Sequence, residues 1–331
     1  MSKIINPHDK FFTTSFDRPG VGKDFLKNNL PADIANLIDY NSVELTRDSF
    51  VDKKLKDYYS DKLLKARLKN GTQSLFYALI EHKSYPEPFV SFQLLVYKVK
   101  IWESFINEYN DIREIRKRQK KQGVCVGAIP PPLKHLPPIM PIVLYHGARN
   151  WTIPKNFRIL IDPNRPVELD KYIPDFQYEL VDLSGISEES IKGEIIYRVA
   201  MILMKNIFSK DLKNSLPDIL KPLENLSNQN TASQYFETIV EYLLNCPISL
   251  TQQELENIVY STFSENIRGD IMLTIADKLR NEGKIKGKKE GKKEGKIETA
   301  LNMLKKGFDF NLIKEITGLP DKDLQAAFAV V

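Results

Sequence analysis

The sequence predicts an α/β fold: strands flanked by helices over residues 1–185, then helices alone. Three observations support it. Leu75-Phe76-Tyr77-Ala78-Leu79-Ile80 is an unbroken apolar run of strand length, the pattern of a strand buried on both faces. Ile139 to Tyr145 is a second such run. From Ser190 onward apolar residues recur only at helical spacing.

The elements come in this order. Residues 8–40 read as helical, with Phe25, Leu26, Leu30, Ile34, Leu37 and Ile38 at helix-like spacing and Pro31 marking an interruption or a new first turn. Val43-Glu44-Leu45 reads as a short strand, and Asp48 or Ser49 as a cap for the next element. Residues 60–68 and 73–83 read as antiparallel neighbours, because Asn70-Gly71 between them is a hairpin signal. Pro86 and Pro88 end the second strand. Phe89, Phe92, Leu95, Val96, Val99, Trp102, Phe105 and Ile106 then form a helical stripe expected to pack on the sheet, with Arg113 to Lys121 as a basic extension. Residues 122–138, rich in Gly and then Pro, read as a loop. Val167 to Asp182 suggests extended chain and turns. Helices are expected over 190–208, 210–225, 231–245 and 251–264, interrupted or separated at Pro217 and Pro247. Gly283, Gly287, Gly291 and Gly295 recur every fourth residue among Lys and Glu, which predicts a frayed helix or a flexible basic linker. Short helices in a turn–helix arrangement close the chain, an acidic pair better suited to protein contact than to reading DNA. The expected division is 1–185, 186–267 and 268–331.

Composition limits the function classes. Of 331 residues, 42% are apolar and 27% charged, with mean hydropathy −0.33. No stretch approaches the roughly 20 apolar residues of a membrane helix. The N-terminal residues lack an apolar signal core, and only Cys125 and Cys246 are present, so a reducing cytoplasm is expected and a Cys-based zinc site is not. The net charge of +5 is segregated. Residues 1–122 hold 22 Lys+Arg against 16 Asp+Glu, residues 123–277 hold 13 against 19, and residues 278–306 hold 11 against 4. Basic charge on the first region and on a late segment suits a polyanionic partner; the alternative is a solvated, Lys-rich surface.

The chemistry-bearing residues lie at the end of the first buried strand. A strand alternates sides, so Glu81 and Lys83 share a face and His82 takes the other. Two ionisable groups on one face of a buried strand need partners. Asp61, on the preceding strand, would join Glu81 to hold a hard divalent cation such as Mg²⁺, which prefers carboxylate oxygens. Lys83 would then stabilise charge developing on a phosphate, a safer role than general base, since flanking carboxylates favour the charged amine. Glu-x-Lys alone is a weak signal, and recurs at Glu290-Gly291-Lys292. Its weight here comes from the apolar strand before it, the acid on the neighbouring strand and the apolar helix after it.

Residues 8–106 resemble the YhgA-like transposase family, also called the Rpn recombination-promoting nucleases. The matching stretches are His8-Asp9-Lys10-Phe11-Phe12, Ser49-Phe50-Val51-Asp52, Tyr59-Ser60-Asp61-Lys62-Leu63-Leu64, Leu79-Ile80-Glu81-His82-Lys83-Ser84, and Leu94-Leu95-Val96-Tyr97 with Ile101-Trp102. Pro141 to Gly147 with Trp151, the Gly-Lys-Glu repeat and Ile316-Thr317-Gly318-Leu319 extend the likeness over nearly the whole chain. The resemblance implies a restriction-endonuclease-like PD-(D/E)xK core with a mixed central sheet, Mg²⁺-dependent (or Mn²⁺- or Ca²⁺-dependent) DNA endonuclease activity, and a link to recombination or mobile elements. It maps the acidic pair and the amine onto Asp61, Glu81 and Lys83. Many relatives carry Gln at the position of Lys83. Gln93 sits where the superfamily often places a helix-borne polar residue near the metal, and His8 is a further auxiliary candidate. Lys284, Lys288, Lys289, Lys292 and Lys293 are candidate DNA contacts. The rival expectation is a catalytically inactive nuclease-fold protein that binds DNA or protein. A homo-oligomer would form through the C-terminal helices.

Overall fold

The structure is a computed structural model that describes residues 6–46, 62–69, 75–125, 127–226, 229–246 and 250–328. It divides into two compact units, one spanning residues 6–268 and the other starting at Gly269.

The first unit is built on a five-stranded mixed sheet in chain order: β1 (Ile38–Leu45), β2 (Lys62–Leu68), β3 (Leu75–Lys83), β4 (Ile139–Tyr145) and β5 (Glu179–Asp182). β1, β2 and β3 pair antiparallel, whereas β3–β4 and β4–β5 are parallel. The central position of β3 explains its unbroken apolar run, since both of its faces are covered. Tyr77 and Leu79 face α4 (Val90–Lys121) and pack with its Val90, Leu94, Tyr97 and Ile101. The other face, through His82, meets α1 (Pro7–Phe16). Helices α2 (Val21–Asn29), α3 (Ala32–Ala35), α5 (Ile195–Asn206), α6 (Leu212–Leu220), α7 (Gln229–Asn245) and α8 (Gln252–Thr262) complete the unit. Ser15 of α1 bonds the Tyr235 hydroxyl of α7 at 2.9 Å, and the Asp24 carboxylate of α2 accepts from the Glu194 amide ahead of α5 at 2.8 Å.

The pairing of residues near 60–68 with those near 73–83, the strand at Ile139–Tyr145 and the loop at 122–138 agree with the sequence expectation. The expected turn residues Asn70 and Gly71 and the cap candidates Asp48 and Ser49 lie outside the described residues.

Three expectations need correction. The helical reading of 8–40 ends too late: Ile38 opens β1 and pairs with Leu68, because the ladder to β2 satisfies its backbone where helix spacing alone could not choose. The stripe expected to pack on the sheet faces solvent in large part: Phe89 is 63% exposed, Phe92 54% and Val99 50%. Helix α4 is apolar on two faces, and the buried seam is Val90, Leu94, Tyr97 and Ile101. The Gly-Lys-Glu segment is one continuous helix, α9 (Glu265–Lys305). Each Gly costs about 1 kcal/mol there, but the intervening Lys, Glu and Ile tolerate or favour helix.

The second unit has its own small core. Ala300, Ile313, Leu319 and Leu324 are buried, joining the end of α9 to α10 (Phe310–Thr317) and α11 (Asp321–Phe328). The Asp309 carboxylate caps α10 by accepting from the amides of Asn311 and Leu312. Gly318 closes it at φ +60°, the left-handed conformation that favours glycine.

Candidate active site

Alternation along β3 sets the site. Tyr77, Leu79, Glu81 and Lys83 fall on the α4 face, so the apolar pattern delivers one acid and one amine beneath the first turns of that helix. Glu81 is 2% exposed, and its Oε1 lies 2.7 Å from Lys83 Nζ. Lys83 also donates to Gln93 Oε1 at 3.0 Å, and Gln93 Nε2 donates to the Tyr97 hydroxyl. Gln93 and Tyr97 are one helical turn apart, which places both over the strand end. Among the described residues, the second carboxylate oxygen of Glu81, Oε2, is buried without a hydrogen-bond partner. An unsatisfied buried oxygen on a charged group costs at least about 1–3 kcal/mol. Its chemistry fits a hard cation or a water as partner.

Glu81, Lys83 and Gln93 are thus brought together. Asp61 lies outside the described residues; it precedes Lys62, which pairs with Ile80, the neighbour of Glu81. Among the described residues no group of three His, Cys, Asp or Glu side chains is arranged to hold a metal ion. Of the basic candidates, Lys284, Lys288 and Lys292 are exposed on α9. Lys293 pairs with Asp323 of α11 at 2.9 Å. Lys289 lies within the helix.

His8 is not with Glu81. It joins His82 and His146 against the opposite face of the sheet. His82 Nδ1 meets Asp9 Oδ1 at 2.7 Å, and its ring stacks on Phe12 and on His146, with centroids 4.8 and 4.9 Å apart. His146 Nδ1 donates to the Met204 carbonyl at 3.1 Å, and His8 Nδ1 bonds the Tyr242 hydroxyl at 2.8 Å. These bonds place a proton on Nδ1 of His82 and of His146, and among the described residues each Nε2 is buried without a partner. The two rings are only 20° from parallel, so their ring nitrogens lie in near-parallel planes and do not converge on one ion. Burial, with the charge of His82 beside it, lowers the His8 pKa to about 4 against the opposing pull of Asp9. Burial likewise pushes His146 well below the ordinary range, reinforced by His82 and His8. The signal in the sequence was that these three of the four histidines each flank a core element.

Gly147 follows His146 where β3 and β4 end together. A Cβ there would lie 2.6 Å from the Ser84 carbonyl and closer still to the Tyr145 hydroxyl. The His146 amide donates to the Lys83 carbonyl at 3.2 Å. Glycine at 147 is therefore what lets the Tyr-His-Gly stretch close against the residue that carries the amine.

A family described as "Putative transposase, YhgA-like" matches residues 6–234, and the "Rpn/YhgA-like nuclease family, C-terminal HTH domain" matches residues 293–329. Over its whole length the chain is similar to the inactive recombination-promoting nuclease-like protein RpnE of Escherichia coli K12, at 27% identity over 98% of both chains. It is similar to the recombination-promoting nuclease RpnA of the same strain at 22% identity over 97% of both. Recombination-promoting nuclease RpnD of Escherichia coli O157:H7 is 24% identical over 83% of this chain and 95% of its own. No solved structure matches. The helix-turn-helix match falls on the end of α9 with α10 and α11, the segment whose acidity had suggested a protein contact. Among the described residues no helix is long and apolar enough to cross a membrane.

Proposed function

The chain belongs to the YhgA-like transposase family, and on that premise we propose that it is a metal-dependent DNA endonuclease of the PD-(D/E)xK type, acting in recombination or on mobile elements. The observation that carries this reading is the buried Glu81, with one oxygen on Lys83 and the other unpartnered. A carboxylate buried this deeply needs a cation. Lys83 supplies half of that need, and Asp61 with Glu81 Oε2 would hold a divalent ion for the rest. Such an ion, Mg²⁺ first and Mn²⁺ or Ca²⁺ as substitutes, neutralises phosphate charge and makes a bound water acidic. Lys83 presents its ammonium to the scissile phosphate and stabilises the charge that builds there. Gln93, locked by Tyr97, fixes where that ammonium sits. The exposed lysines of α9 and the helix-turn-helix segment would hold DNA, with strong salt dependence.

The test is nicking of supercoiled plasmid by the full chain with each metal and with EDTA, using Asp61→Ala and Glu81→Ala. Cleavage should require metal and fall by roughly 100-fold or more in both variants, with circular dichroism unchanged. Cleavage that survives both substitutions would overturn the site. A second reading, a catalytically idle DNA-binding relative, is favoured by the name of RpnE, which calls that protein inactive. It requires DNA binding with no turnover under any metal.

A further inference from the structure

Among the described residues, α4 and the segment leading into it expose a second apolar face. Tyr85, Phe89, Phe92, Val96, Val99 and Ile106 are each at least a third exposed. From Phe89 their positions step by three, four and three, then by seven across Glu103 to Ile106. That is the 3–4 alternation of a helix that pairs with another helix. A lone exposed apolar residue needs no explanation, but a stripe of about four turns does.

We propose that this stripe is an antiparallel homodimer interface, covered by α4 of a second copy of the chain. Self-pairing rests on three features. First, aligning two copies about a twofold axis between Tyr97 and Lys98 sets Val96 against Val99 of the second copy and Phe89 against Ile106 of the second copy. Phe92 meets the stem of Glu103, whose carboxylate is held by Lys100 at 2.8 Å. Second, the direction is fixed by charge. Arg113 to Lys121 holds six Lys+Arg and one Glu, so a parallel pair would place two strongly basic ends side by side. The antiparallel pair moves them to opposite ends, on the order of 60 Å apart at 1.5 Å per residue. Third, the area suffices. The six side chains expose on the order of 500 Å² per copy, or about 1,000 Å² in a dimer, the lower limit of a specific interface. The interface therefore lies on the sheet-bearing unit and does not need the C-terminal helices.

The pairing stands independently of cleavage. If the nuclease reading also holds, the two copies of Gln93 sit about 14 Å apart along the common axis, which suits two cuts on one duplex.

Sedimentation velocity of the full chain at roughly 1–100 μM reads the proposal directly. The expected species is a dimer, twice 38.1 kDa. Val96→Glu/Val99→Glu should weaken association by roughly 30-fold or more while keeping the native circular dichroism and melting cooperativity. Cysteine pairing tests the direction on a Cys125→Ser background, since Cys125 is exposed. A mixture of Val96→Cys and Val99→Cys chains should cross-link more than either alone. Three results would each overturn the proposal. They are a monomer across the whole range, a double variant that dimerises like the parent, and a mixture that cross-links no better than single species. A monomeric parent whose stripe variant loses plasmid binding would assign the face to nucleic acid instead.

Discussion

Glu81 and Lys83 stabilise each other at the end of β3, and their removal should not be symmetric. Lys83→Met leaves a carboxylate that is 2% exposed without its charged partner. Removing one member of a buried pair typically costs about 3–5 kcal/mol, and the slight exposure of Lys83 places this case nearer the lower figure. Glu81→Gln removes the charge that needed a partner and also the orphaned oxygen's demand for a cation, so its cost should stay near 1 kcal/mol. The double variant should recover most of the loss seen in Lys83→Met. Urea unfolding of the four proteins measures this coupling, and equal destabilisation by the two single variants would contradict the pairing. Both singles should lose cleavage, which separates the chemical role of the pair from its structural one. At this scale the sequence was legible where strand alternation decides geometry, as for Glu81 and Lys83 on one face and His82 on the other. It was not legible for the union of His8, His82 and His146, since contacts between residues 8, 82 and 146 depend on how α1 crosses the sheet.

Two kinds of glycine distinguish the elements. At Gly147 the end of β4 passes too close to Ser84 and Tyr145 for a Cβ. Gly147→Ala should therefore destabilise by roughly 1–3 kcal/mol and disturb the adjoining Lys83. In α9, by contrast, a Cβ at Gly287, Gly291 or Gly295 meets nothing within 4 Å. Substituting Ala at these three positions should raise helix stability by about 1 kcal/mol each, seen as stronger ellipticity at high temperature. No gain would mean that this segment is not helical in solution. The same contrast separates the legible elements from the hidden ones. Strands β3 and β4 stood out because a central strand buried on both faces is written as an apolar run. The orientation of α4 did not, because periodicity identifies a helix but cannot rank two apolar faces. The continuity of α9 was hidden because glycine propensity was weighed without its helix-favouring neighbours.

The first unit as a whole is tied together by the histidine cluster, and this predicts its response to acid. His8 sits on α1, His82 on β3 and His146 at the end of β4, with Met204 of α5 and Tyr242 of α7 as partners. In the folded chain His8 has its pKa lowered to about 4 and His146 lies well below the usual value, burial being the main cause in both. Unfolded, both return to the ordinary value near 6.5. Between those limits the unfolded chain binds protons that the folded chain does not, so stability rises with pH. The contribution is complete above about pH 6.5 and is lost progressively as pH falls toward 4. Chemical denaturation at intervals from pH 7.5 to 4.5 should show a falling midpoint with an onset near 6.5. His146→Gln should flatten that slope, because it keeps a donor for the Met204 carbonyl and removes the group that gains a proton on unfolding. A midpoint independent of pH across this window would show that His8 and His146 already carry their protons in the native fold, against the lowering that burial gives them.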